Sequence, residues 1–319
     1  PDGLKRLCDA CHGTGLVLFL DVVYNHLGPE GNYLSAYGPY FTGKYRSAWG
    51  EAVNFDGEYS DGVRNYFIRN CLYWLENYHI DGLRLDAVHG IYDMGAKHIL
   101  EEMADAVKSF GECRGGKYFL VAESDLNDSR IVKGRRSGGY GADAQWSDDF
   151  HHSVHTLLTG ESTGYYMDFG ELSHLATALT DGFVYTGQYS SYRKRNHGNP
   201  SKDIDGKRIV VSIQNHDQVG NRMNGERITE LAGFEAHKLA AGTMMISPYI
   251  PLLFMGEEYA ETAPFLYFIN HGDPELADAV RKGRKREFES FAWGQEPPDP
   301  RSAETFNRSK LRRNYGDDT

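Results

Sequence analysis

The chain has 319 residues, 40% of them hydrophobic and 13% aromatic, enough to build one large α/β domain or two smaller ones. Its net charge of −11, from 45 acidic and 34 basic residues, argues against nucleic acid and against an anionic membrane surface as partners. No apolar run approaches the ~20 residues of a membrane span, and no charged start with an apolar core and cleavage site is present, so a cytoplasmic setting without a signal peptide in this chain is expected. Aromatic side chains that suit sugar rings are plentiful, with 21 Tyr and 4 Trp, but core packing uses the same residues.

In chain order, residues 4–12 read as a helix. Leu4, Leu7, Cys8 and Cys11 fall at i, i+3, i+4 and i+7, predicting a buried stripe that Gly13 closes. Cys8-Asp9-Ala10-Cys11-His12 also matches the C-x-x-C-H pattern of haem attachment, but the helical stripe explains both cysteines without it. The four cysteines do not form a disulfide framework for a domain of this size, and no cofactor is assigned. Leu16 to Asp21 is a continuous apolar run, as a strand buried on both faces requires. Residues 27–62 carry no helical period and are rich in Gly and Pro, so they read as a long functional loop.

A helix is expected over Val63–Tyr78, then a strand over 80–86 and a helix over Gly95–Phe110. Tyr118–Glu123 is the next strand, 124–145 a polar Gly-rich stretch with a short strand at Asp143–Trp146, and Asp149–Thr159 a helix. Residues 160–207 are irregular. Arg208–Ile213 reads as a strand, Ile228–Ile246 as one helix, Ile250–Gly256 as the last strand and 274–290 as a charged surface helix. Trp293–Thr319 reads as a loosely attached tail.

Alternating helices and strands predict a parallel sheet with crossover helices. Carboxylates collect at the ends of successive strands, at Asp21, Asp86, Glu123 and near Asp217, as at the active face of a (β/α)8 barrel. Six strands are countable where a closed TIM barrel has eight, so an incomplete barrel is expected, its first two strands lying before Pro1. Residues 1–292 are thus expected to be a partial catalytic barrel with inserted loops at 27–62 and 160–207, and 293–319 a tail leading out of it.

The chemistry centres on Asp81-Gly-Leu-Arg-Leu-Asp86. Alternation places Arg84 and Asp86 on one face, where the cation favours an ionised carboxylate. A buried structural ion pair is the plain alternative. Asp86 and Glu123 stand on consecutive strands ~4.8 Å apart, compatible with the ~5.5 Å carboxyl separation of a retaining glycosidase. In that scheme Asp86 attacks the anomeric carbon and Glu123 protonates the leaving oxygen, its pKa raised by neighbouring Asp86 and Asp217. His26 and His216 are candidates to donate hydrogen bonds to sugar hydroxyls.

Four blocks, Asp21-Val-Val-Tyr-Asn-His26, Gly82-Leu-Arg-Leu-Asp86, Val121-Ala-Glu123 and Gln214-Asn-His-Asp217, resemble in order and spacing the signature regions of the α-amylase superfamily. The resemblance implies that Asp86 is the nucleophile, Glu123 the general acid/base and Asp217 a third carboxylate that grips sugar hydroxyls. It implies that His26, Arg84, His216, Tyr24, His89 and Asn215 line the sugar site. The flanks, among them His26–Leu34, Asp86–Ile91, Ala122–Asp128, Asp148–His155, Gln214–Arg222 and Pro264–Phe268, are similar to a branch of the superfamily acting on malto-oligosyltrehalose. That implies cleavage of the α-1,4 bond next to the terminal trehalose, releasing trehalose, with flanking β domains outside this chain. Glucan-branching transfer, general α-amylase-type hydrolysis and non-catalytic glucan binding are the alternatives.

No metal is assigned. Asn25 matches a calcium ligand of many α-amylases, but the branch it resembles is similar in needing none. His151 and His155 with Asp148 or Asp149 could bind zinc, although helix capping by the aspartates and packing of the histidines account for the pattern.

Overall fold

The computed structural model describes residues 1–47, 49–289 and 297–313. The chain divides into two compact units, Pro1–Trp146 with Gly198–Ile209, and Ser147–His197 with Val210–Thr319.

The first unit alternates helix α1 (Asp2–Gly13), strand β1 (Phe19–Val22), helix α2 (Ser60–Tyr78), strand β2 (Gly82–Leu85), helix α3 (Ile99–Arg114), strand β3 (Phe119–Ala122) and strand β4 (Ala144–Ser147). All four strands run parallel in the order β1-β2-β3-β4. Every residue of β2 is buried, as a central parallel strand covered on both faces must be. Helix α2 buries Val63, Phe67, Cys71 and Leu75, spaced by four, against Ile80, Leu83, Met103 and Leu120. It stops at His79, whose left-handed φ of 56° turns the chain so that the next N–H, of Ile80, bonds back to Trp74 O at 3.4 Å. The connection from β3 to β4 is a loop with one 3-10 turn (Arg135–Ser137), as the polar Gly-rich composition of 124–145 leads one to expect.

Two expectations change here. Helix α1 buries only Cys8 of its apolar stripe, whose thiol donates to His79 O at 3.2 Å, while Leu7 is 52% exposed. His12, the last residue of the haem-like run, pairs with Asp81 at 2.9 Å. The 27–62 stretch is not structureless: Phe41–Ser47 and Gly50–Val53 form an antiparallel hairpin. Asn54 closes its base, donating to Pro39 O and Glu58 O and accepting from Gly57 N–H.

The second unit holds helices α4 (Asp148–Thr159) and α5 (Leu172–Asp181), strand β5 (Ile209–Val211), helices α6 (His216–Gly220), α7 (Ile228–Ala232) and α8 (Phe234–Met245), strand β6 (Ile250–Pro251), and helices α9 (Pro274–Glu289) and α10 (Ala303–Arg308). Strands β5 and β6 pair in parallel, Ile250 opposite Val210. The expected helix over 228–246 is two, because Gly233 sits at φ 86°, ψ 167° between them. Strand β6 covers only two residues of the expected seven, since Pro251 has no N–H to donate and Gly256 at φ 86° turns the chain.

Of the expected loose tail, 297–313 is held. The Glu261 carboxylate accepts from the N–H groups of Thr262, Ala263 and Arg312, and Ser309 Oγ accepts from Leu266 N–H. The remainder, 293–296 and 314–319, lies outside the described residues.

Candidate active site

Parallel register sets Asp21 of β1 directly opposite Arg84 of β2. The Arg84 side chain is 8% exposed and reaches three carboxylates. Nη1 donates to Asp21 at 2.8 and 3.1 Å and to Asp86 Oδ1 at 2.7 Å, and Nη2 lies 2.9 Å from Glu123 Oε2. The guanidinium also packs 4.5 Å over the Trp146 ring. Burial works against its charge, yet Glu123, Asp21 and Asp86 outweigh that and hold its pKa above the ordinary value.

The second oxygen of Asp86 is also fixed. Asn25 Nδ2 donates to Asp86 Oδ2 at 2.9 Å and to its backbone carbonyl at 2.7 Å. With one donor on each oxygen the carboxylate has a defined plane, as a nucleophile needs. Ala87 then adopts a left-handed φ of 39°, rare for a residue with a Cβ. This turn aims its N–H at Glu123 Oε2, 2.6 Å away, while Val88 N–H bonds the Glu123 carbonyl at 2.9 Å. Asp86 and Glu123 are thereby tied through both a side chain and the backbone.

His26 contacts Asn25 Oδ1 through Nδ1, and its ring stacks on Trp49 at 4.7 Å and 6°. Burial lowers its pKa, against the pull of Asp86. Trp49, at the tip of the hairpin, is 55% exposed and gives His26 an aromatic wall. His89, in the turn after Ala87, is 3.7 Å from Asp125. Tyr24 was expected to bind sugar, but it is 5% exposed, packs on Phe67 and donates its hydroxyl to Asn70 at 2.7 Å. It supports the strand end from within the core.

In the second unit, Asn215 is buried as the N-cap of α6. Its Oδ1 accepts from Asp217 N–H at 2.9 Å and from Gln218 N–H at 3.1 Å, so it shapes the turn. His216 and Asp217 lie half-exposed in that first turn, 3.6 Å apart. Beside them Gln214 accepts from Ile228 N–H and is hydrogen-bonded to Glu257, whose pKa burial pushes up to about 7. Arg227 is also buried, donating to Ala263 O and Met255 O.

The residues that sequence reasoning missed are Asn25 as a partner of Asp86, Ala87, Trp49, Trp146, Arg227 and Glu257. Only Asn25 carried a signal, lying inside a signature block. The zinc reading of His151 and His155 is met by other partners: His151 bonds Ile213 O and Tyr166, and His155 bonds Glu161. Among the described residues no group of three or more metal-ligating side chains converges.

Carboxylates at the carboxyl ends of parallel strands, three of them on one buried arginine, define the class: this is a site of the glycoside-hydrolase barrel type. The chain is similar to malto-oligosyltrehalose trehalohydrolases and shares the fold of α-amylases. It is 50% identical over 318 residues to the malto-oligosyltrehalose trehalohydrolase of Saccharolobus solfataricus, covering 100% of this chain and 54% of that protein. It is 49% identical to the enzyme of the same name from Rhizobium sp., covering 98% and 53%. It superposes on the solved structure of a putative alpha amylase from Salmonella typhimurium with a TM-score of 0.91 and 43% identity, over 99% of this chain and 54% of that one. An Anoxybacillus alpha-amylase shares the fold at a TM-score of 0.57 and 21% identity, covering 90% of this chain and 60% of that one. No family model matches. The chain spans about half the length of the curated relatives it matches. No described helix is long and apolar enough to cross a membrane.

Proposed function

We propose that this chain carries the catalytic carboxylates of a retaining α-glucan hydrolase that cuts the α-1,4 bond next to the terminal trehalose of malto-oligosyltrehalose. The observation that carries the chemistry is the single arginine, Arg84, holding Asp86 and Glu123 together. The substrate rests on relatives 41–50% identical over almost the whole chain, all named malto-oligosyltrehalose trehalohydrolase.

Asp86, with both oxygens held, attacks the anomeric carbon while Glu123 gives its proton to the leaving glycosidic oxygen. A glycosyl ester on Asp86 forms and the glucan–trehalose bond breaks. Glu123, now ionised, takes a proton from water, which attacks the same carbon and restores Asp86. Asp217 grips sugar hydroxyls and holds the ring distorted. Arg84, His26, His216 and His89 line the sugar site, and Asn215 shapes the turn that bears Asp217. Net charge of −11 and four free cysteines support a cytoplasmic enzyme acting on a neutral glucan, with no nucleic acid or membrane partner.

A branching transferase is the second reading. A 1,4-alpha-glucan branching enzyme of Leifsonia xyli is 27% identical over 285 residues, and the same glycosyl ester could pass to a sugar hydroxyl. Product analysis on the full-length protein separates the two. Free trehalose from malto-oligosyltrehalose, with slow attack on the matched plain malto-oligosaccharide, is the expected result. Equal cleavage of both would reduce the reading to a general α-amylase-type hydrolase, and new α-1,6 branches would give it to the transferase.

A further inference from the structure

The segment from Ile213 to Arg222 carries His216 and Asp217 and has little structure of its own. Helix α6 is five residues long, well below the length at which a helix holds itself in water. Its shape must be imposed from outside, and among the ties that the second unit supplies, besides those of Gln214 to Ile228 and Glu257 and of Arg284 to Gly220 O, three run to α4 and the turn after it.

At the start, His151 Nδ1 bonds Ile213 O at 2.7 Å. In the middle, Gln218 Nε2 donates to Asp148 Oδ1 at 3.1 Å. At the end, Arg222 clasps Glu161 with two parallel bonds of 2.8 and 2.7 Å and reaches Glu226 at 3.2 Å. The first and last ties are joined. His151 and His155 lie one turn apart on α4 and face the same way. His155 Nε2 bonds Glu161 at 2.8 Å, and its ring stacks on Tyr166 at 4.4 Å and 13°. The Tyr166 hydroxyl meets His151 Nε2 at 2.9 Å.

We propose that this linked chain, His151–Tyr166–His155–Glu161–Arg222, sets the position of Asp217, and that His151, buried with Tyr166 and His155, is the positioning residue, held in the Nδ1–H tautomer. The tautomer follows from the partners. A carbonyl oxygen only accepts, so Nδ1 must donate to Ile213. In a neutral ring Nε2 then accepts, and the Tyr166 hydroxyl donates to it. Burial, which disfavours the imidazolium, agrees. With His151 2% exposed, no water replaces a lost partner cheaply.

The inference rests on the reading of Asp217 as the third carboxylate, and the test separates the two. In the full-length protein, kcat and KM on malto-oligosyltrehalose are compared for His151→Asn, His151→Gln, Tyr166→Phe, Asp217→Asn and the double variant His151→Gln with Asp217→Asn. Asn keeps a donor near the Nδ1 position and Gln one near Nε2. The expected result is a 10- to 100-fold loss of kcat in His151→Gln, in line with ~1 Å of misplacement. His151→Asn should stay within a fewfold of the native rate, and Tyr166→Phe, which removes one hydroxyl, should lose less than His151→Gln. In the double variant His151→Gln should add nothing to the loss from Asp217→Asn, because it acts through that carboxylate. Full additivity, or Asn and Gln losing activity alike in proportion to their melting temperatures, would overturn the positioning role. Near-native turnover in Asp217→Asn would overturn the underlying reading of that residue and the inference with it.

Discussion

Arg84 shows how one side chain can serve three anions. A lysine there could not reach Asp21, Asp86 and Glu123 together, because it lacks the planar fork. Asp86 is the partner whose loss should cost most. Asp86→Asn keeps the shape and removes the nucleophile, so turnover should fall by about 4–8 kcal/mol of transition-state stabilisation, a thousandfold or more. Steady-state kinetics of the full-length variant decide this, and near-normal turnover would remove Asp86 from its role. Glu123→Gln should spare an activated aryl glycoside far more than a natural glucan, because a good leaving group needs no proton; equal losses on both would argue against the acid role. Glu257 sets a different dependence. Burial pushes its pKa up to about 7, against ~4.3 unfolded, so between those values the folded state holds a proton the unfolded chain has released. Stability therefore falls as pH rises from about 4.5 to 7, by on the order of 3 kcal/mol. Urea unfolding at pH 5 and pH 8 should show Glu257→Gln losing less stability across that interval than the native protein.

At the scale of elements, turns do the aiming. The left-handed Ala87 directs a backbone N–H from the end of β2 onto a carboxylate of β3. Gly225, at φ 60°, brings the chain against Phe265. A Cβ there would sit 2.5 Å from the Phe265 carbonyl oxygen, an atom of backbone that cannot rotate away. Gly225→Ala should thus destabilise the protein by about 2–4 kcal/mol, read as a lower urea midpoint with an unchanged slope. A variant as stable as the native protein would show that this contact relaxes. The hairpin over 41–53 illustrates a limit of pattern reading. Its strands lack a clean apolar alternation, and it is fixed by Asn54 and by the Asp56 carboxylate, which takes Lys44, Tyr45 and Met94 N–H.

For the whole molecule, charge and substrate combine simply. The protein carries −11 and the proposed substrate is neutral, so no long-range steering operates. Raising salt from 50 to 500 mM should change kcat/KM by less than about twofold, whereas a charged substrate would show a steep decline. Asp86 and Glu123 belong to one compact unit and Asp217 to the other. Assigning all three to one reaction rests on the family resemblance and on relatives named for that reaction.

The order of elements, the parallel strands and the carboxylates at their ends were legible in the sequence, because alternation, apolar runs and turn residues are local properties. So was the pairing of Arg84 with Asp86, two residues apart on one strand face. The link from Arg84 to Asp21 and Glu123 was not, since it depends on the register of strands 63 and 39 residues away. Nor was the burial of Tyr24, the exposure of Leu7 or the left-handed turn at Ala87, because periodicity says which face a residue shares but not what covers that face. The sequence by itself determined which groups could do chemistry and where along the strands they stand. Only the tertiary structure decided their partners, because hydrogen bonds and burial are set by residues far away in the chain.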